Sequence, residues 1–163
     1  MPETTQSGAP RSAEIPPMHA EDSSVDEKGR LKMPVAFQRY LGASDGAAFM
    51  ATTYDLKTAI VYTNEDFLEF RKDVKMQLGP TKAEPILYMM ERFGGTSKLD
   101  GDGRLSLPGA LKEQLGLNKR QKVYLRFRNR RIEILREEDY DREFQVHQVN
   151  LEEAVNLLKG TGL

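Results

Sequence analysis

Val25-Asp-Glu-Lys-Gly-Arg-Leu-Lys-Met-Pro-Val-Ala-Phe-Gln-Arg-Tyr-Leu-Gly42 decides how this chain is read, because it occurs twice. Leu99-Asp-Gly-Asp-Gly-Arg-Leu-Ser-Leu-Pro-Gly-Ala-Leu-Lys-Glu-Gln-Leu-Gly116 lies on it without gaps, with eight of 18 positions identical. These are Asp26/Asp100, Gly29/Gly103, Arg30/Arg104, Leu31/Leu105, Pro34/Pro108, Ala36/Ala110, Leu41/Leu115 and Gly42/Gly116. A duplicated unit makes the fold a pair of related halves, so it is recognised before local elements are assigned.

Each copy has the same physical grammar. An Asp three residues before a Gly marks a tight turn, since Gly adopts positive φ without a steric penalty and Asp accepts from the turn's own amides. Leu31 and Met33, like Leu105 and Leu107, alternate with polar neighbours, the pattern of a short half-buried strand. Pro34 and Pro108 stand where a helix begins and Gly42 and Gly116 where it ends. The unit is therefore a turn, a strand and a short helix.

The segments C-terminal to the two units correspond as well. Strands are expected over 47–53 and 58–63 in the first half, and over 123–127 and 131–135 in the second, where Asn129 suits a left-handed turn position. Thr63 or Asn64 caps a helix carrying Phe67, Phe70, Val74 and Leu78, stopped by Gly79-Pro80. Pro85 opens a further helix with Ile86, Met89, Met90 and Phe93 on one stripe, a Met pair read as core filler. A helix from Glu137 turns Tyr140 and Phe144 inward, and Asn150 with Glu153 makes a capping-box start for a last helix carrying Leu151, Ala154, Val155 and Leu158.

Composition bounds the rest. The 163 residues are 39% apolar and suit one compact domain, or two small pseudo-repeats sharing a core, without covalent staples. No cysteine is present, which removes disulfides, thiolate zinc sites and thiol chemistry. The longest apolar run, 47–51, is far short of the roughly 20 residues that span a bilayer or the core of a signal peptide, which predicts a soluble intracellular protein. Residues 1–24 are Pro, Ser, Thr, Ala and Glu with few large apolar side chains, net −3, and are expected to be a disordered tail.

The formal charge of −1 hides a separation: residues 119–136 carry net +7 and residues 137–163 net −5. Those charges serve either as solvated faces and patches that pair within the chain or between subunits, or as an oligomer interface or DNA flank.

The paired Asp-x-x-x-Arg motifs, each within Asp-x-x-Gly-Arg-Leu-x-apolar-Pro, together with Asn129-Arg130-Arg131-Ile132-Glu133-Ile134, resemble the MraZ family. The likeness runs from about Ser24 to Phe144. It implies a mainly β fold with short helices (α+β), two tandem AbrB-like swapped-hairpin units forming one pseudo-two-fold β-barrel. The units are expected at 25–79 and 96–146, with a linker helix at 80–95 and a C-terminal helix and tail at 147–163.

The resemblance further implies a bacterial cytoplasmic, nucleoid-associated transcription regulator of the division and cell-wall gene cluster. Such proteins form rings of about eight or twelve subunits on G-rich direct repeats of double-stranded DNA. DNA-binding residues carry over to Asp26, Arg30, Asp100 and Arg104, with Lys28 and Lys32 as basic neighbours belonging to this sequence. The chain departs from the pattern at Asp102, which stands where the first copy has Lys28, at Gln38 and Lys112, where the family often has Arg, and at Leu135, where it often has Trp.

The motif has a physical route to sequence reading. An Arg braced by Asp before binding presents a planar fork that matches guanine O6 and N7, worth about 1 to 3 kcal/mol of discrimination. Lysines beside it add phosphate attraction, which positions without reading sequence. Repetition of the loop around a ring makes later contacts intramolecular. The same Asp and Arg residues would equally serve as ion pairs closing each hairpin.

Other functions find little footing. Asp100-Gly-Asp102 begins like a calcium loop, but Arg104, Leu105 and Leu111 occupy positions that such a loop gives to ligands and glycine. His19 lies in the tail and His147 alone, no phosphate-cradling glycine motif precedes a helix, and neither enzyme chemistry, metal nor cofactor is expected. The alternatives kept open are a ring-forming protein-interaction module of the same fold and an AbrB-class antitoxin.

Overall fold

The computed structural model describes residues 15–42 and 49–163. In chain order the elements are β1 (Glu21–Val25), β2 (Arg30–Lys32), α1 (Val35–Gly42), β3 (Phe49–Thr52), β4 (Ala59–Tyr62) and α2 (Asn64–Phe93). They continue with β5 (Gly95–Leu99), β6 (Arg104–Ser106), α3 (Gly109–Leu115), β7 (Gln121–Arg128), β8 (Arg131–Arg136) and α4 (Glu137–Gly160). The eight strands close into an antiparallel barrel in the order β1-β2-β6-β5-β3-β4-β8-β7.

The barrel is interleaved. Four hairpins, β1–β2, β3–β4, β5–β6 and β7–β8, are local, and the remaining pairings, β1–β7, β2–β6, β3–β5 and β4–β8, each join one half of the chain to the other. In the β2–β6 pair Leu31 stands opposite Leu105, its own counterpart in the repeat. Antiparallel pairing of equivalent residues places a local two-fold axis between them.

The repeat's apolar positions fill the core. Leu31, Leu105, Met33, Leu107, Phe37, Leu111, Leu41 and Leu115 are all buried in one cluster, together with Val123, Leu125, Ile132 and Ile134 from β7 and β8. A fully buried Leu at such a position contributes about 1.5 to 3 kcal/mol. The strand alternation and the helical spacing thus converge on a single interior.

Several elements differ from the expectation. The tail was expected to reach residue 24, but Glu21–Val25 pairs along its whole length with β7, because Ser23 and Val25 can face the barrel while Asp22 and Ser24 face water. Residues 1–14 of that tail, and 47–48 of the expected strand 47–53, lie outside the described residues.

In α2, Thr63 Oγ1 accepts from the Asp66 amide at 3.2 Å, the expected cap, and Gly79 at φ 78° breaks the helix. The second half restarts at Pro80 rather than Pro85, since proline costs nothing at a first helical position. Phe67 and Phe70 pack in one cluster with Ile86 and Met90, and Arg71 lies 3.6 Å from Glu91, so the two halves fold back on each other.

The C-terminal helix is also longer than expected. It runs unbroken from Glu137, with three acids in its first turn where the helix dipole favours them, and Asn150 does not cap a helix. Its Nδ2 donates to the Val146 carbonyl at 2.9 Å instead. Tyr140 stacks on Tyr124 at 4.3 Å, as an inward residue should, but Phe144 is 64% exposed. The two long helices therefore extend a fold that is otherwise mainly β with short helices.

Candidate nucleic-acid interface

The two Asp-x-x-x-Arg loops have one geometry. In the first, the Arg30 carbonyl accepts from the Asp26 amide at 2.9 Å and Gly29 closes the turn at φ 71°. In the second, Arg104 and Asp100 make the same bond at 2.9 Å and Gly103 takes φ 77°. Asp26 Oδ1 accepts from the amides of Lys28 and Arg30, and Asp100 Oδ1 from those of Asp102 and Arg104, all at 2.9 Å. The aspartate is thus first a turn-builder, its carboxylate folded into its own loop.

Those amides set the carboxylates' acidity. The amide of Arg30 holds Asp26 below its ordinary value, reinforced by the Arg30 side chain and the Lys28 amide. The Arg104 amide does the same for Asp100, with that of Asp102 second. Both loops therefore keep their negative charge at any pH at which nucleic acid is handled.

Each loop is buttressed by the other half of the chain. An added Cβ on Gly103 would stand 2.4 Å from Gln38 Nε2, and one on Gly29 would stand 3.0 Å from Lys112 Cδ. Gln38 and Lys112 are the same position of the repeat, so α1 supports the second loop and α3 the first. Gln38 is anchored by donating to the Met33 carbonyl at 2.6 Å, and the Met33 amide in turn donates to the Gly103 carbonyl at 2.9 Å.

The loops lie at the two ends of the antiparallel β2–β6 pair, which is only three residues long, so that the loops come close to each other; Lys32 pairs in register with Arg104. Arg30 Nε donates to Asp26 Oδ2 at 2.9 Å. Arg104 Nε lies 4.0 Å from that same oxygen, and its Nη1 lies 3.5 Å from Asp102. The Arg30 and Arg104 side chains are 35% and 37% exposed, while Lys28 and Lys32 are exposed and Asp100 borders solvent. The structure therefore brings Asp26, Arg30 and Arg104 together at one exposed rim, with Asp100 within electrostatic reach of both arginines and Lys28 and Lys32 exposed on the first hairpin. The approach of Arg104 to Asp26, and the support by Gln38 and Lys112, were beyond reach of the motif; for the latter pair the common repeat position was the available signal.

Several arginines of the basic segment 119–136 are paired within the chain, although most of its basic residues are exposed. Arg126 donates to Glu133 at 2.7 Å and to Glu143 of α4 at 2.5 Å, and Arg131, nearly buried, meets Glu133 at 3.0 Å and the hydroxyls of Tyr54 and Tyr62 at 2.9 and 3.3 Å. Burial pushes the Tyr62 phenol up to about 12, so it remains a donor and acceptor throughout the neutral range. Arg136 joins Asp139 at 2.9 Å and Arg130 joins Asp66 at 2.6 Å. These charges hold β7, β8, α2 and α4 together.

No family model matches the chain. Curated relatives named transcriptional regulator MraZ do. Those of Koribacter versatilis and Acidobacterium capsulatum are each 32% identical, over 92 and 91 residues, covering 55% of this chain and 62% of the relative. That of Xanthomonas campestris pv. campestris is 24% identical over 102 residues, 60% of this chain and 68% of its own.

The chain is MraZ-like. The alignment with the first two of these relatives spans about 62% of their length. Among the described residues no helix is long and apolar enough to cross a membrane.

Proposed function

We propose that this protein is a sequence-specific DNA-binding transcription regulator whose paired loops read base edges in the major groove. The observation that carries the reading is the common rim: Arg30 and Arg104, each about a third exposed, flank one carboxylate and are joined by exposed Lys28 and Lys32. The Arg30 guanidinium, held at Nε, keeps its terminal nitrogens for a ligand, while Arg104 has Nη1 at 3.5 Å from Asp102; guanine is the base whose O6 and N7 accept from such a fork. A chain of net charge −1 suits this role because its cations are gathered locally rather than spread.

By its likeness to MraZ regulators, the target is G-rich direct repeats upstream of its own division and cell-wall gene cluster, and the protein acts in the cytoplasm on the nucleoid. A ring of subunits supplies the repeated loops that such repeats require. Support for self-association comes from α4, where Val149, Leu151, Leu157 and Leu158 are each at least half exposed. No catalytic step is part of this reading.

Fluorescence anisotropy with a duplex from upstream of the gene, beside a scrambled duplex, at two salt concentrations, tests it. The native duplex is preferred, the preference survives higher salt, and Arg30→Ala and Arg104→Ala reduce it, because salt weakens phosphate contacts far more than base contacts. Equal weak binding to both duplexes would instead favour a protein-interaction ring.

A further inference from the structure

We infer that Asp26 is the positioning residue for both arginines of the rim, Arg30 in its own loop and Arg104 in the other, and that Asp100 has no such part. The inference rests on the DNA-reading function above and specifies how its reading head is oriented.

The two loops look equivalent in sequence and are not equivalent in space. Asp26 Oδ2 accepts from Arg30 Nε at 2.9 Å and faces Arg104 Nε at 4.0 Å, so a single oxygen stands before both guanidinium groups. Asp100 uses Oδ1 on the amides of Asp102 and Arg104, and although its charge lies within electrostatic reach of Arg104 and Arg30, the side-chain ion pairs of Arg104 go to Asp26 and Asp102. The β2–β6 pairing, with Arg104 opposite Lys32 as Arg30 is opposite Ser106, brings the second loop within reach of the first but is itself two-fold symmetric, so the difference lies in the side chains. Asp102, standing where the first loop has Lys28, draws the Nη1 end of Arg104 to 3.5 Å and completes the asymmetry.

The consequence is a shared orientation. Arg carries a long side chain whose freedom is lost when it binds a base, and a carboxylate that holds its Nε beforehand removes part of that loss. Because one oxygen serves both arginines, removal of its charge loosens two readers at once. It also removes a negative charge from the surface that meets phosphate, which favours unspecific binding. The two effects have opposite signs, and that separates a positioning role from a structural one.

Asp26→Asn is the suitable variant, since Asn keeps the Oδ1 acceptor for the amides of Lys28 and Arg30 and replaces only the oxygen that faces the guanidinium groups. Anisotropy with the native duplex, with duplexes altered at single G·C pairs and with the scrambled duplex gives the preference ratio, while the urea midpoint checks folding. The expected result is an unchanged or tighter affinity for the scrambled duplex and a preference reduced about tenfold. Asp26→Asn added to Arg30→Ala lowers the residual preference carried by Arg104, and added to Arg104→Ala lowers that carried by Arg30; Asp100→Asn does neither.

Three results overturn the inference: Asp26→Asn without effect in the Arg30→Ala background, no residual preference in Arg30→Ala alone, or equal loss from Asp100→Asn in a folded protein. Equal binding of both duplexes by the unaltered protein overturns the DNA-reading function itself and the inference with it.

Discussion

Gly29 and Gly103 occupy the same point of the two loops, at φ 71° and 77°, yet they meet different neighbours. A Cβ on Gly29 reaches the flexible end of Lys112 at 3.0 Å, whereas one on Gly103 reaches the Gln38 amide at 2.4 Å, and that amide is tied to the Met33 carbonyl. Gly29→Ala is therefore expected to cost about 1 kcal/mol, mostly backbone strain, and Gly103→Ala about 2 to 3 kcal/mol, with Gln38→Ala recovering part of the second. Urea unfolding of the two variants and the double variant checks the order. The turn carboxylates define a pH effect at the same scale. The Arg104 amide keeps Asp100 below its ordinary 3.8, so its stabilisation is complete above that value and is lost as pH falls through the lower folded value; Asp26 behaves alike for the same reason. The urea midpoint of Asp100→Asn lies below that of the unaltered protein at neutral pH, and the gap closes in strong acid. Sequence spacing was enough to locate these turns, because the Asp-to-Gly interval is a local geometry. It was not enough to reveal that Arg104 leans towards Asp26, since nothing local relates residues so far apart.

The hairpin of β7 and β8 and its continuation into α4 show why a basic segment was ambiguous. Arg126 is 15% exposed and stands between Glu133, 7% exposed, and Glu143 on α4. Arg126→Ala leaves buried Glu133 with one fewer partner and removes one of the ties to α4, an expected loss of about 2 to 4 kcal/mol. Glu143→Gln is expected to cost under about 1 kcal/mol, because that carboxylate is 37% exposed and water screens it. Chemical denaturation of both variants distinguishes an ion-pair core from a merely solvated basic face, on which the two losses would be alike and small. The far part of α4 behaves differently. Its apolar side chains are exposed, and a capping box that reads well at Asn150 is overridden because the helix is already propagating from Glu137 when it arrives there. Removal of residues 148–163 is expected to leave the urea midpoint nearly unchanged while lowering the sedimentation coefficient, as befits a segment that serves subunit contact. A lower midpoint with the oligomer intact would assign it to the fold instead.

At the scale of the whole molecule, every hairpin of one half pairs with a hairpin of the other, so neither half owns a closed sheet. Residues 15–93 and 94–163 expressed apart are therefore not expected to fold as monomers; a half that folds does so as a homodimer, the second copy replacing the missing half. Sedimentation and circular dichroism check this, and a cooperative monomeric half would contradict the interleaving. The duplicated stretch, its turns, the helix starts at Pro34 and Pro108, the break at Gly79 and the buried Leu and Met positions were all legible in the chain, because each depends on backbone preference or on short-range periodicity. Repetition also implied a pseudo-symmetric pair. Strand β1, the fold-back of α2, the internal pairing of the basic segment and the inequality of the two loops were decided by tertiary structure. Each arises where residues distant in sequence compete for one place: Glu21–Val25 becomes a strand because the β7 edge is open to it, and Asp26 faces two arginines because strand register sets them beside one another. Local chemistry in this protein determines the turns, strands and helices, and only their meeting across the barrel decides which charges are spent on stability and which remain at the rim.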